Sequence, residues 1–289
     1  MSAPEILTGL SQVADRYDAV LCDVWGVLHN GVDSFAEAAG ALQRFQEARG
    51  PVVLISNSPR PSQDVIAQLH ALLVPDEAWS AFVTSGDVTR DLLAEHAPGP
   101  AWDIGPNRDG TLYEGLGLDL VDGPETAAFI SCTGLTNDEA ETPEDYRQAL
   151  ETAARRGLTM ICANPDLVVQ RGSRMIYCGG SLAALYETLG GKVVMAGKPF
   201  APIYERAWKD AERLAGRALD PARVLAIGDG APTDVLGANR QDLDCLFIAD
   251  GIHAADASND QGRLDAARLE AVLTKGGVHA AYALAGLVW

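Results

Sequence analysis

The sequence predicts an α/β protein in which a parallel-sheet domain is interrupted by a second, inserted α/β domain. Three observations carry this. Short runs rich in Val, Ile and Leu alternate with helix-length segments from near the start, which is the grammar of a parallel sheet covered by helices on both faces. The same alternation returns after residue 190. Between the two halves lies a stretch with strand and helix signals of its own.

In chain order, Tyr17 to Cys22 (YDAVLC) is an apolar strand that runs into Asp23. Ser34 to Arg49 has apolar residues at helical spacing, and Ser34 followed by Glu37 reads as a capping box. Pro51 to Ile55 is the next strand, Pro61 to Leu72 a helix, Ala81 to Thr84 a strand and Asp87 to His96 a helix. The middle reads Ala127 to Cys132, Thr142 to Arg156 and Leu158 to Cys162 as strand, helix, strand. The last part resumes with Val193 to Ala196, a helix from Pro202 to Ala215, Val224 to Ile227, a helix from Thr233, and Leu243 to Ile248. Strands buried on both faces should show continuous apolar residues rather than alternation, and these do. The expected division is a core of residues 1–86 and 191–289 with an inserted domain at 87–190. The acidic run Asp138 to Asp145 is read as a helix start, with Thr142 as cap, Pro143 in the first turn and two acids at the positive end of the helix dipole. The C-terminal AYALAGLVW is expected to dock against the core.

Composition narrows the function classes. The 289 residues carry 22 Lys and Arg against 40 Asp and Glu, a net charge of -18. A surface that tracks nucleic-acid phosphates or anionic lipid needs clustered cations, so neither partner is expected. Five dispersed cysteines with no C-x-x-C pair read as buried thiols in a reducing compartment. No basic start followed by an apolar core opens the chain, and its apolar C-terminal stretch is far short of the ~20 residues that span a bilayer. A cytoplasmic location is expected.

Ligands of open parallel sheets bind beyond the carboxyl ends of the strands. Four strand ends here carry polar chemistry: Asp23 in D-V-W-G-V-L, Ser56 in S-N-S, Lys198 in G-K-P, and Asp229 and Asp234 in G-D-G-A-P-T-D. A carboxylate can attack phosphorus and form an aspartyl-phosphate. Converging carboxylates suit Mg²⁺, a hard cation that prefers oxygen. A hydroxyl and a lysine would hold and neutralise phosphoryl oxygens. Each residue alone is ordinary at a strand end; their order at successive strand ends is the signal.

That order, D-x-x-G-V, S-N, G-K-P and G-D-x-x-x-T-D, resembles the haloacid dehalogenase superfamily, in its class IIA, NagD-like and p-nitrophenyl-phosphatase-like branch. The fragments I-S-N-S at 55–58, A-N-P-D at 163–166 and G-D-G-A-P-T-D-V-L-G-A at 228–238 extend the resemblance over nearly the whole chain. It implies a Rossmann-like parallel-sheet core with an inserted class-2 α/β cap domain, and a Mg²⁺-dependent phosphatase of a small phosphorylated metabolite. Asp23 would be nucleophile and metal ligand, Ser56 and Asn57 would bind phosphate, and Lys198 would orient nucleophile and phosphate. Asp229, Asp234 and the backbone carbonyl of Trp25 would complete the metal site. Dimerisation through the cap is what the same resemblance implies for assembly.

One position departs from that pattern. Family phosphatases carry a second Asp two residues after the nucleophile, which protonates the leaving group; here the residue is Trp25. A positioned general acid or base is worth about 10² to 10⁴ in rate. Three outcomes stay open: a slow phosphatase favouring good leaving groups, a dehalogenase-like hydrolase, or a non-catalytic homologue that binds a phosphorylated ligand. His29 could replace the missing acid, because histidine titrates near neutrality; the simpler reading is a polar turn residue. Asn164 and Asp166 form the N-P-D turn, structural first and substrate-touching second. Finally, residues 87–190 hold 17 acidic and 7 basic residues and no lysine, so a phosphate ester depends on local positive charge, namely Mg²⁺ and Lys198.

Overall fold

The computed structural model describes residues 3–171, 174–251, 254–257, 259, 261 and 264–289, with the backbone alone at 170, 171, 254 and 255. Its strands in chain order are β1 (Glu5–Ile6), β2 (Ala19–Cys22), β3 (Val52–Ser56), β4 (Ala81–Thr84), β5 (Ala101–Ile104), β6 (Leu120–Val121) and β7 (Phe129–Cys132). They continue as β8 (Thr159–Cys162), β9 (Val168–Arg171), β10 (Arg174–Tyr177), β11 (Lys192–Met195), β12 (Val224–Gly228), β13 (Asp244–Ile248) and β14 (Tyr282–Leu284). The chain divides into two compact units, one of residues 1–56, 66–83 and 198–289, the other of residues 57–65 and 84–197.

The first unit is built on a seven-stranded sheet in the order β1-β14-β13-β12-β2-β3-β4. The pairings from β1 through to β3 are parallel. Central β2 (AVLC) and β12 (VLAIG) are buried at every residue, which explains their unbroken apolar sequence. One core gathers Tyr17, Leu28, Leu42, Phe45, Leu54, Leu225, Leu246 and Tyr282. At about 1.5 to 3 kcal/mol for each large side chain buried, such a cluster dominates the stability of the unit.

The helix expected from Ser34 runs Ala36–Ala48 with Phe35 as its cap residue, and no side chain caps it. The Ser34–Glu37 capping box is therefore not formed. Ser34 bridges His29, and the Phe35 N–H donates to the Leu28 carbonyl at 2.7 Å, so the backbone before the helix is already committed to the turn after β2. The C-terminal segment does more than dock, because β14 is an interior strand between β1 and β13. All five cysteines are buried. Among the described residues, no helix is long and apolar enough to cross a membrane.

The second unit carries a five-stranded parallel sheet, β11-β8-β7-β5-β6, and an antiparallel hairpin of β9 and β10. Its main core packs Ile104, Ile130, Leu150, Met160, Leu182 and Tyr186. In the acidic run, the Thr142 N–H donates to Asp145 Oδ2 at 2.7 Å and Pro143 takes the first position, as read from sequence, although the first turn is 3₁₀ before the α-helix Arg147–Arg155. Asp138, at the other end of the run, instead pairs with Arg108.

An ion cluster ties the start of β2 to that of β12. The two Asp18 oxygens accept from Arg223 Nε and Nη2 at 2.7 Å each, and Arg217 approaches to 2.7 Å. The Arg223 hydrogen bonds, then Arg217, hold the Asp18 carboxyl well below its usual range. A depressed carboxylate stabilises the fold above the ordinary aspartate value near 4, and that contribution fades as pH falls below it. Asp18→Asn is thus expected to lower the urea midpoint at pH 7, with the gap to wild type closing in the acid range; a gap that stays constant down to pH 2.5 would refute the assignment.

Candidate active site

The site sits at the carboxyl edge of the first unit's sheet. Strands β2 and β12 pair with Cys22 opposite Ile227, and the Asp23 N–H donates to the Ile227 carbonyl at 2.8 Å. One step of that ladder fixes Asp23, and Asp229 leaves the neighbouring strand end two residues after Ile227. Ser56 closes β3, whose Leu54 lies opposite Cys22, so the hydroxyl belongs to the same edge.

The carboxylates of Asp23, Asp229 and Asp234 bring one oxygen each to within 4.8 Å of the others, and all three residues are buried. Lys198, 2% exposed, donates to Asp23 Oδ1 at 2.5 Å and to Asp234 Oδ1 at 2.7 Å. Burial disfavours the Lys198 ammonium, but the Asp23 and Asp234 carboxylates outweigh it and hold its pKa above the ordinary lysine value. Burial pushes the Asp23 carboxyl up, Asp234 and Asp229 add to the rise, and Lys198 opposes it. Three close carboxylates with one ammonium among them leave a deficit of positive charge, which an oxygen-seeking divalent cation would remove. The donor set therefore fits Mg²⁺.

Backbone geometry delivers the acids. Residues 231–235 form a single π-helical turn, in which the Val235 N–H reaches the Gly230 carbonyl at 3.1 Å. That turn directs Asp234 back so that its Oδ2 accepts from the Gly230 N–H at 3.0 Å while Oδ1 faces Lys198. Asp229 is wedged between two glycines, since a Cβ at Gly26 or at Gly251 would overlap its carboxylate. Gly26 also has φ of +81°, so its place in D-V-W-G is required twice over.

Trp25 lies in the tight turn after Asp23, with its side chain two-fifths exposed and its backbone bridged to His29. His29 is 3% exposed; its Nδ1 accepts from the Gly31 N–H at 3.0 Å, which puts the ring proton on Nε2, and burial lowers its pKa. Asn57 falls in the second unit, where its Nδ2 donates to Asp166 Oδ1 at 3.0 Å. Asn164 Oδ1 accepts the Asp166 N–H at 3.1 Å and shapes the N-P-D turn that presents Asp166. Sequence reasoning missed Gly251 and Tyr204. The Tyr204 hydroxyl is buried beside Asp234 and Lys198, without a hydrogen-bond partner among the described residues, and packs on Gly237, where a Cβ would overlap the phenol. A tyrosine in the first turn of an amphipathic helix (Ala201–Ala215) reads as core, and nothing in its spacing marks it otherwise.

Residues 20–119 match the family described as haloacid dehalogenase-like hydrolase, and residues 195–273 match its HAD-hydrolase-like companion. The crystal structure of a haloacid dehalogenase-like family hydrolase from Brucella suis 1330 is 47% identical, covers 99% of this chain and 100% of its own, and superposes with a TM-score of 0.83. The chain belongs to the haloacid dehalogenase-like hydrolase family. Within that family its relatives place it in the NagD-like branch. The 5'-nucleotidase YutF of Bacillus subtilis is 25% identical over 246 residues, 84% of this chain and 91% of its own. The ribonucleotide monophosphatase NagD of Escherichia coli is 25% identical over 242 residues, 82% of this chain and 89% of its own. The matches to both family descriptions include the strand-end acids of the cluster: Asp23 in the first, Asp229 and Asp234 in the second.

Proposed function

We propose that the protein is a Mg²⁺-dependent phosphohydrolase that cleaves a small phosphate monoester through Asp23. The observation that carries this is the buried cluster in which Lys198 bridges Asp23 and Asp234 while Asp229 closes on the same point. The relatives named as nucleotidase and monophosphatase support the reading.

The Asp23 carboxylate attacks phosphorus, its new O–P bond forming as the P–O bond to the alcohol breaks. The departing alkoxide takes a proton, and water then attacks the aspartyl-phosphate, releasing phosphate and restoring Asp23. Lys198 opposes the rise that burial imposes on the Asp23 carboxyl and neutralises charge on the phosphoryl oxygens. The Ser56 hydroxyl, at the same sheet edge, holds a phosphoryl oxygen. Asp23, Asp229, Asp234 and the Trp25 carbonyl would hold Mg²⁺, which when bound screens the anionic nucleophile from the anionic ester. Asn57, tied to Asp166, fixes the loop that follows Ser56.

Trp25 favours a second reading. With no carboxyl two residues after the nucleophile, the alkoxide must find its proton elsewhere, and a protein that binds phosphate esters with little turnover would show the same cluster. Phosphate release from acetyl phosphate and p-nitrophenyl phosphate separates the two. Hydrolysis is expected with Mg²⁺ and should fall by at least about 10²-fold in EDTA, returning when the metal is restored. Equal rates with and without metal would remove the phosphohydrolase reading.

A further inference from the structure

Tyr204 lies in the first turn of the helix Ala201–Ala215, which begins soon after Lys198, and is 3% exposed. Its phenol meets the short helix Leu236–Arg240, which follows directly on the π-helical turn that delivers Asp234. The contact is close enough that a Cβ on Gly237 would overlap the hydroxyl oxygen. Arg240, at the far end of the same short helix, lies 5.3 Å over the Phe200 ring. Two contacts thus brace the segment after Lys198 against the segment after Asp234, and all these residues belong to the first unit.

Packing accounts for the ring but not for the hydroxyl, since phenylalanine would fill the same space. The Tyr204 hydroxyl has no hydrogen-bond partner among the described residues. Buried polar atoms are nearly always paired, and leaving one unpaired costs stability. The charged groups that act on it are Asp234, Lys198 and Asp23. Lys198 is held by Asp23 Oδ1 at 2.5 Å and Asp234 Oδ1 at 2.7 Å, on two of the three acids that suit a divalent cation. Ammonium and cation compete for those oxygens, and Lys198 yields at low cost only where another acceptor takes its N–H. A tyrosine oxygen can accept that bond while its own proton goes to a carboxylate.

We infer that Tyr204 is a positioning residue of the Asp23–Lys198–Asp234 cluster: its ring spaces the two segments, and its hydroxyl is the acceptor to which Lys198 turns when Mg²⁺ takes the carboxylates. The inference rests on the phosphohydrolase reading, through its metal site, and adds a residue that holds neither metal nor phosphate.

Tyr204→Phe removes the hydroxyl and keeps the ring. Calorimetric titration of the metal-free proteins with MgCl₂ should give about tenfold weaker affinity in the variant, because Lys198 then stays on the acids. At saturating Mg²⁺, kcat for p-nitrophenyl phosphate should fall about tenfold while KM changes by less than about twofold. The urea midpoint should hold or rise, since an unpaired buried hydroxyl is gone. Tyr204→Leu, which loses the ring as well, should show the same loss of Mg²⁺ affinity at a lower midpoint. Folded variants with wild-type Mg²⁺ affinity overturn the assignment, because a hydroxyl that only packs would move the midpoint alone. If wild type binds Mg²⁺ but turns over no ester, the phosphohydrolase reading fails by itself and the calorimetric ratio still decides Tyr204. A wild type that binds no Mg²⁺ overturns the assignment together with its metal site.

Discussion

Asp23→Asn is expected to lower kcat by at least about 10⁴-fold on every phosphate ester the wild type cleaves. The amide matches the carboxylate in shape, and its oxygen can still accept from Lys198, which in any case keeps Asp234 at 2.7 Å. The fold should therefore survive, and the loss reports the nucleophile alone. Acid-quenched wild-type protein should carry phosphoryl mass on the peptide containing Asp23, and the variant should not. A variant that matches wild type in rate would show that hydrolysis occurs elsewhere or by contamination.

Trp25→Asp is expected to do the reverse. Supplying a carboxyl two residues after the nucleophile should raise turnover of alkyl phosphates, whose alkoxides need a proton, by about 10² to 10⁴. p-Nitrophenyl and acyl phosphates, which leave readily as anions, should change little. The substitution is feasible because the Trp25 side chain is 40% exposed, so its loss opens no core cavity, and its bridge to His29 is made by backbone. A folded variant with unchanged or lower alkyl-phosphate activity would sink the missing-acid argument.

The central strands were legible because burial on both faces leaves runs such as AVLC and VLAIG with no alternative use, and the acids after them stand out by contrast. Strands β1 and β14, of two and three residues, were not legible: so short a run shows no period, and their pairing comes from contacts across nearly the whole chain. Ser34 and Glu37 have capping-box spacing, but backbone pairing back to Leu28 and His29 overrides a preference worth about 1 kcal/mol. At the site, Asp23 and Asp229 follow from strand ends of one sheet, whereas Lys198 follows β11, a strand of the second unit's sheet, Asp234 comes from the π-helical turn, and the glycines on either side of Asp229 are 225 positions apart and meet only in the fold.

The Asp23 amide belongs to the ladder between β2 and β12, in the middle of the seven-stranded sheet. Amides placed there exchange with solvent only when the whole unit opens, while edges and loops breathe far more often. Fraying at β1 or β4 can therefore come and go without moving Asp23 relative to Asp229. Heat or denaturant then has no gentle way to detune this chemistry, and the site disappears only together with the sheet that carries it.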